Sequence, residues 1–425
     1  MFLTTKQGTL MTKEIEVLDA LPGCGKTYAI LEMISKNQDK SWLYLSPMKK
    51  EINERLPEEM EKFGLRMFIA QDKGKLNEYK NMNLQVLDAM KDGTSVACTH
   101  NLMLRFTQEH IDLIKKHNYI VVCDEELDLI KGYNELKKGD IDFLLDNQHI
   151  EIAEKDGKVS FISEIATESR YGDVKLFADM GCLYAAKSRH DFLVVQVSPR
   201  IVEAAHRFIL LTYKYKGSIM DTFMSMHGFC STPLNLPLLK STQDRVKDVA
   251  NLIKFIETPS VKKWQKKKSC LSATWWRNIS EDDVEDLAKA VKSIMVNQKL
   301  KSEDIMITFP KAHLGGYDGE YKTKKVLKVN GLDMNESFVQ YNARATNDYE
   351  TKSLAVHLTN LYPMQPVMVY MQDMGFVCDR DNYALSTFIQ WLFRGCIRKD
   401  KPMSVAIFSD RTSVLFKEWL IDSSR

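Results

Sequence analysis

The stretch Ala20-Leu21-Pro22-Gly23-Cys24-Gly25-Lys26-Thr27 constrains this chain more than any other part of it. It follows the apolar run Ile15-Glu16-Val17-Leu18-Asp19, which reads as a buried strand. It precedes a segment in which Ile30, Leu31, Met33 and Ile34 have helical spacing. Strand, glycine-bearing loop and helix, in that order, are the context in which such a loop binds phosphate. Gly23 and Gly25 let the backbone curl so that its N–H groups and the helix N-terminus face phosphate oxygens. Lys26 then reaches the outer phosphates, the Thr27 hydroxyl binds Mg2+, and Cys24 and Tyr28 lie in the same nucleotide-binding stretch. ATP or another nucleoside triphosphate, together with Mg2+, is the ligand expected, the base being left open by the loop itself.

A phosphate loop that hydrolyses its ligand needs an acidic pair at the end of a nearby strand. Asp124-Glu125 closes the run Tyr119-Ile120-Val121-Val122-Cys123 and fits that place. Asp124 is expected to hold Mg2+ through water, and Glu125 to polarise the attacking water as general base. Glu126 and Asp128 read as caps of a following helix.

At 425 residues the chain exceeds the roughly 250–300 at which one hydrophobic core stops growing, so two domains or more are expected. The runs at 42–45, 95–98, 119–123 and 207–213 alternate with helical segments, which implies an α/β fold with a parallel sheet covered on both faces. Residues 131–200 break this rhythm. They alternate around Asp156-Gly157, a hairpin signal, and read as an inserted, mostly β or mixed subdomain. A second α/β pattern begins near residue 284, with a helix at 284–296, a strand at 305–309, a helix-like stretch at 354–361, a strand at 366–370, a helix at 383–397 and a strand at 404–408. The expected domains are therefore 1–285, with the insertion, and 286–425.

Gln390, Arg394 and Arg398 are spaced i, i+4, i+8, which on one continuous helix forms a single stripe. Arginines presented in this way can neutralise charge building on a γ-phosphate.

Composition narrows the class. The eight cysteines are scattered singly without zinc-finger spacing and read as reduced thiols. No apolar run approaches the roughly 18 residues of a membrane span, and the first ten residues lack a secretory apolar core. A cytoplasmic protein without membrane contact is expected. A net charge of +2 announces no nucleic acid, which would have to be held by local groups. Ser46 and Lys49 after the second strand, Thr99 and His100 after the third, and Trp275 and Trp276 near the basic run 262–268 have the residue types for phosphate contact and base stacking. Ser46 and Thr99 are equally suited to capping helices.

Residues 20–27, the strand-end Asp124-Glu125-Glu126-Leu127, and Gln390 with Arg394 resemble motifs I, II and VI of superfamily 2 helicases of the DEAD/DEAH type. The chain as a whole resembles helicase-like ATPases encoded by bacteriophages. Asn342-Ala343-Arg344-Ala345-Thr346-Asn347-Asp348-Tyr349 resembles their motif V region, which makes Asn347 a further nucleic-acid candidate. The resemblance implies two RecA-like lobes with ATP between them, and action on single-stranded or forked DNA in phage replication or recombination. A monomer with phage replication proteins as partners is expected. Two departures stand out. The second arginine of the motif VI pattern comes one position late, at Arg398. Motif III has two candidates, Leu211-Thr212-Tyr213 at a strand end and Leu271-Ser272-Ala273-Thr274, of which the former is favoured by proximity to the acidic pair. The rival reading is a phosphate-loop ATPase without unwinding activity, either a packaging-type motor or a nucleotide-switched assembly factor.

Overall fold

The computed structural model describes residues 13–71, 82–163, 170–315, 325–342 and 348–422, which divide into two compact units. The first unit comprises Met1–Asp19, Thr27–Pro237 and Met364–Cys378. Its strands in chain order are β1 (Glu14–Asp19), β2 (Trp42–Ser46), β3 (Phe68–Ile69), β4 (Val96–Thr99), β5 (Ile120–Asp124), β6 (Ile130–Tyr133), β7 (Ile150–Ile152), β8 (Val159–Phe161), β9 (Leu183–Ala185), β10 (Leu193–Gln196), β11 (Arg207–Thr212) and β12 (Cys230–Pro233). Seven of them form one sheet in the order β12-β1-β11-β5-β2-β4-β3, and every pairing in it is parallel. The central strands are apolar almost without interruption because helices cover both faces. All of β2 and all of β5 except Asp124 are buried.

The β6–β10 region is a separate small layer. An antiparallel sheet β6-β10-β9 and a β7-β8 hairpin enclose their own core of Ile141, Leu144, Val159, Val174 and Leu183. Gly157, at φ +76°, is forced by packing, since a Cβ there would lie 2.1 Å from the carbonyl oxygen of Ala185.

The helix Gln365–Asp373 completes the first unit from far along the chain. Val367, Tyr370 and Met371 are buried in the same core as β1 and β5, and the Tyr370 hydroxyl donates to the carbonyl of Asp156 at 3.1 Å.

The second unit comprises Ala20–Lys26, Leu238–Pro363 and Asp379–Arg425. Its strands β13 (Ile253–Phe255), β14 (Ile305–Thr308), β15 (Leu354–His357) and β16 (Met403–Ile407) form a parallel sheet in the order β13-β16-β15-β14. The α/β class expected of two RecA-like lobes thus holds, with parallel sheets in both units.

Four local expectations need correction. The main run of the second unit begins at Leu238 rather than 286, because Trp264, Leu271 and Trp276 are buried in one cluster with Leu287, Ile307 and Phe309. The helix-like stretch at 354–361 contains the strand β15, and the strand expected at 366–370 lies within the helix Gln365–Asp373, with Pro366 in its first turn. Short apolar runs do not distinguish the two states by periodicity, and the tertiary environment decides. Finally, the helix expected over 383–397 is Arg380–Leu392, and it ends before Arg394.

Candidate nucleotide site

The topology of the first sheet sets the geometry. β1 and β5 are parallel and separated only by β11, so their C-terminal ends share one edge roughly 9–10 Å apart. Register brings Asp19 beside Thr212 and Asp124 beside Leu211. The loop leaves β1 at this edge and enters the helix Lys26–Ser35.

Within the loop, Gly23 and Gly25 adopt φ of +87° and +89°, backbone that side-chain-bearing residues rarely take. A Cβ on Gly25 would meet Leu239 Cγ at 2.7 Å. The loop is closed by Cys24 N donating to Leu21 O at 3.2 Å. Lys26 Nζ donates to the carbonyls of Ala20 and, at 3.4 Å, Leu21, which points the ammonium across the loop rather than away from it. Cys24 is buried, its Sγ directed to Ser241 O at 3.8 Å, and burial raises its thiol pKa. Its part in the loop is therefore packing. Tyr28 is 43% exposed and packs edge-on against Phe63.

At the end of β5, Asp124 accepts a hydrogen bond from the Tyr44 hydroxyl at 3.1 Å, and burial beside that carboxylate drives the Tyr44 pKa well up. Tyr44 therefore stays a neutral donor that orients Asp124. Glu125 has φ +66°, a conformation that costs a non-glycine residue of order 1 kcal/mol and that gathers at functional sites. Its N–H donates to Leu211 O at 2.9 Å, which ties the acidic turn to β11.

Glu126 differs from the cap that was expected. Desolvation raises its carboxyl to about 7, and its Oε1 accepts from Thr212 Oγ1 at 3.3 Å. Thr212 thus stands between the two strands that bear the loop and the acidic pair. Ser272, the competing candidate, caps the short helix Ala273–Arg277 in the second unit. Neither Tyr44 nor the Glu126–Thr212 contact has a sequence signature, because each arises from strands far apart in the chain.

A hydroxyl in a first helical turn and one carboxylate on a strand end are what Mg2+ accepts beside phosphate oxygens and water. Thr27 and Asp124 supply these on the first unit. Among the described residues no cluster of three or more His, Cys, Asp or Glu side chains is placed to hold a metal by protein ligands alone.

Gln390 lies in the helix Arg380–Leu392, half-buried, whereas Arg394 lies beyond its end and is 5% exposed, and Arg398 sits in the 3-10 turn Cys396–Lys399. The expected single stripe is broken at Gly395, whose extended backbone (φ −78°, ψ −172°) caps that turn. A Cβ at Gly395 would strike Met403 Cε at 2.4 Å, so the chain is pressed against the sheet where a straight helix would have continued.

The nucleic-acid candidates divide. Ser46 and Thr99 are paired in register at the ends of β2 and β4, and Thr99 Oγ1 accepts from Leu102 N as a helix cap. Exposed Lys49, Asn101 and Arg105 and half-buried Thr99 line a cavity of about 210 Å3 beside them. His100 is turned inward, 5% exposed, with Nε2 at 3.6 Å from Cys123 Sγ, which removes it from a surface role. The stacking platform is corrected as well. Trp276 is 1% exposed, donates its indole N–H to Leu358 O at 2.9 Å and stacks on Phe309, while Trp275 is half-buried edge-on against Trp264 and Trp276. Lys263 and Lys267 are ion-paired to Asp286 and Asp283. Asn347 lies outside the described residues.

No helix among the described residues is long and apolar enough to cross a membrane. Residues 247–420 match the family described as the YonV C-terminal Rossmann-like domain. The chain is 23% identical over 436 residues to the SPbeta prophage-derived uncharacterized protein YonV of Bacillus subtilis (strain 168), with 96% of this chain and 99% of that protein covered. Among solved structures, S. tokodaii Xpd4 is similar at 14% identity and a TM-score of 0.40, with 96% of this chain and 94% of that one covered. The second unit is accordingly Rossmann-like, and the chain is a distant relative of a prophage-derived protein.

Proposed function

We propose that the chain is an ATP-hydrolysing motor that moves on or unwinds nucleic acid, with DNA in phage replication or recombination as its setting. The observation that carries this reading is the shared sheet edge. β1, which leads into the glycine loop, and β5, which ends at Asp124 before the strained Glu125, flank β11, which ends in Thr212.

In this reading Lys26 and the loop N–H groups hold the phosphate chain, and Glu125 takes the proton of the attacking water. Thr27 and Asp124 hold Mg2+, with Tyr44 fixing the Asp124 carboxylate. The bound ion supplies charge neutralisation on the phosphoryl oxygens. Arg394 lowers the barrier by stabilising charge on the leaving phosphates, so Arg394→Ala is expected to cut kcat by about 10²-fold or more with less effect on nucleotide affinity. The cavity lined by Lys49, Thr99 and Arg105 supplies backbone-phosphate contacts for the nucleic acid.

The decisive test is ATP turnover in the presence and absence of single-stranded DNA, single-stranded RNA and forked DNA. Stimulation by at least one of them is expected. A rate indifferent to all three sinks the motor reading and leaves an ATPase that uses its nucleotide for assembly or packaging.

A further inference from the structure

Arg245 stands on the helix Thr242–Leu252 and is 2% exposed. A charge so buried is costly unless acceptors surround it. Its Nη1 donates to the Asp400 carboxylate, its Nη2 donates to Ile397 O at 3.0 Å and approaches Arg398 O at 3.5 Å, and its Cζ lies 5.5 Å from the Phe393 ring centroid. The guanidinium also packs against the phosphate loop, where a Cβ on Gly23 would lie 3.3 Å from Nε and 3.4 Å from Nη2. Nε itself is buried with no hydrogen-bond partner among the described residues. The guanidinium is therefore bonded to the Arg398 turn and in close contact with the loop.

The start of the same helix supports the loop twice more. Leu21 N donates to Thr242 Oγ1 at 3.3 Å, and Cys24 Sγ reaches Ser241 O at 3.8 Å. The loop segment Ala20–Lys26, this helix and the Arg398 turn all belong to the second unit.

We infer that Arg245 is a positioning residue, one that sets the backbone of the Arg398 turn against Gly23 so that loop-bound phosphate and the Arg398 side chain keep a fixed geometry. The inference rests on the proposed ATPase reading and deepens it. Gly23 is then required for two reasons, its φ of +87° and the absence of a Cβ beneath Arg245. A Cβ there would require the guanidinium to give by a few tenths of an ångström.

A double-mutant cycle tests this with the full chain, ATP, Mg2+ and single-stranded DNA. Arg245→Lys keeps the charge and loses the fork, and is expected to lower kcat about tenfold while the KM for ATP moves less than about threefold. Arg398→Ala should do the same, and the double variant should be no slower than Arg398→Ala alone, because Arg245 acts through that residue. A structural role predicts instead that the losses multiply or that only the unfolding midpoint falls, and either result overturns the inference. If Arg245→Lys does not fold, Asp400→Asn takes its place in the same cycle, with a loss of about threefold expected. Lys26→Ala separates the two claims. Turnover lost in that variant but intact in Arg245→Lys defeats the positioning role alone, whereas turnover intact in Lys26→Ala defeats the ATPase reading beneath it.

Discussion

Two segments of this chain concentrate chemically active residues, the glycine loop at 20–27 and the lysine-tryptophan run at 262–277, and the structure treats them in opposite ways. In the first, the backbone takes conformations that only a special purpose explains: two glycines near φ +90°, a lysine folded across the turn, and a strained glutamate on the strand two places away in the sheet. In the second, the two buried tryptophans and two of the lysines have ordinary occupations. Trp264 and Trp276 fill a core, and Lys263 and Lys267 neutralise carboxylates on a neighbouring helix. Interleaved basic and aromatic residues are therefore weak evidence for a nucleic-acid surface, because burial of the rings and pairing of the charges account for the same letters.

Four substitutions break or sharpen this contrast. Lys26→Ala should reduce ATP turnover by roughly 10²-fold or more while the far-UV circular dichroism spectrum and unfolding midpoint stay those of the parent. Trp276→Ala should cost about 3–5 kcal/mol in urea unfolding and leave DNA affinity per folded molecule unchanged, whereas a selective loss of DNA binding would restore the platform.

Smaller effects follow. Glu126 carries a carboxyl raised to about 7, so its protonated form is favoured by the fold. The stability it contributes is present at acidic pH and is lost as pH rises through about 7. Glu126→Gln, which cannot ionise, should raise the melting temperature by roughly 2–4 °C at pH 8 and change it little at pH 5. The reverse pH order would show that the ionised form is the one the fold holds. Last, Lys263→Ala should shift unfolding by no more than about 0.5 kcal/mol, since its ion pair is exposed, and a titration with labelled single-stranded DNA should show no change.

Much of the first sheet was legible in the sequence. The strands ending in Asp19, Asp124 and Thr212 are long apolar runs closed by polar residues, and the glycine loop has a spacing that few other structures use. The second unit was less legible. Residues 354–357 and 365–373 exchange the expected strand and helix, because four or five apolar residues satisfy either period and only their neighbours decide. The departure from one continuous helix was hidden as well: the helix ends at Leu392, and at Gly395 the chain lies so close to Met403 on another element that a Cβ would not fit. The parts played by Tyr44, Glu126 and Arg245 were not legible for a related reason, and Glu126 read only as a helix cap. Each earns its place through a partner at least 80 residues away, and no spacing rule spans such a distance.

The helix Gln365–Asp373 bears on how the chain is made. The first unit's core contains Val367, Tyr370 and Met371, yet residues 238–363, 126 positions by subtraction, are synthesised before them. At about 5–20 residues per second, that is a wait of roughly 6–25 s during which the seven-stranded sheet exists with part of its apolar surface uncovered. A released fragment ending at residue 363 should therefore hold the sheet in a state that chaperones bind, and a fragment extended to residue 378 should not.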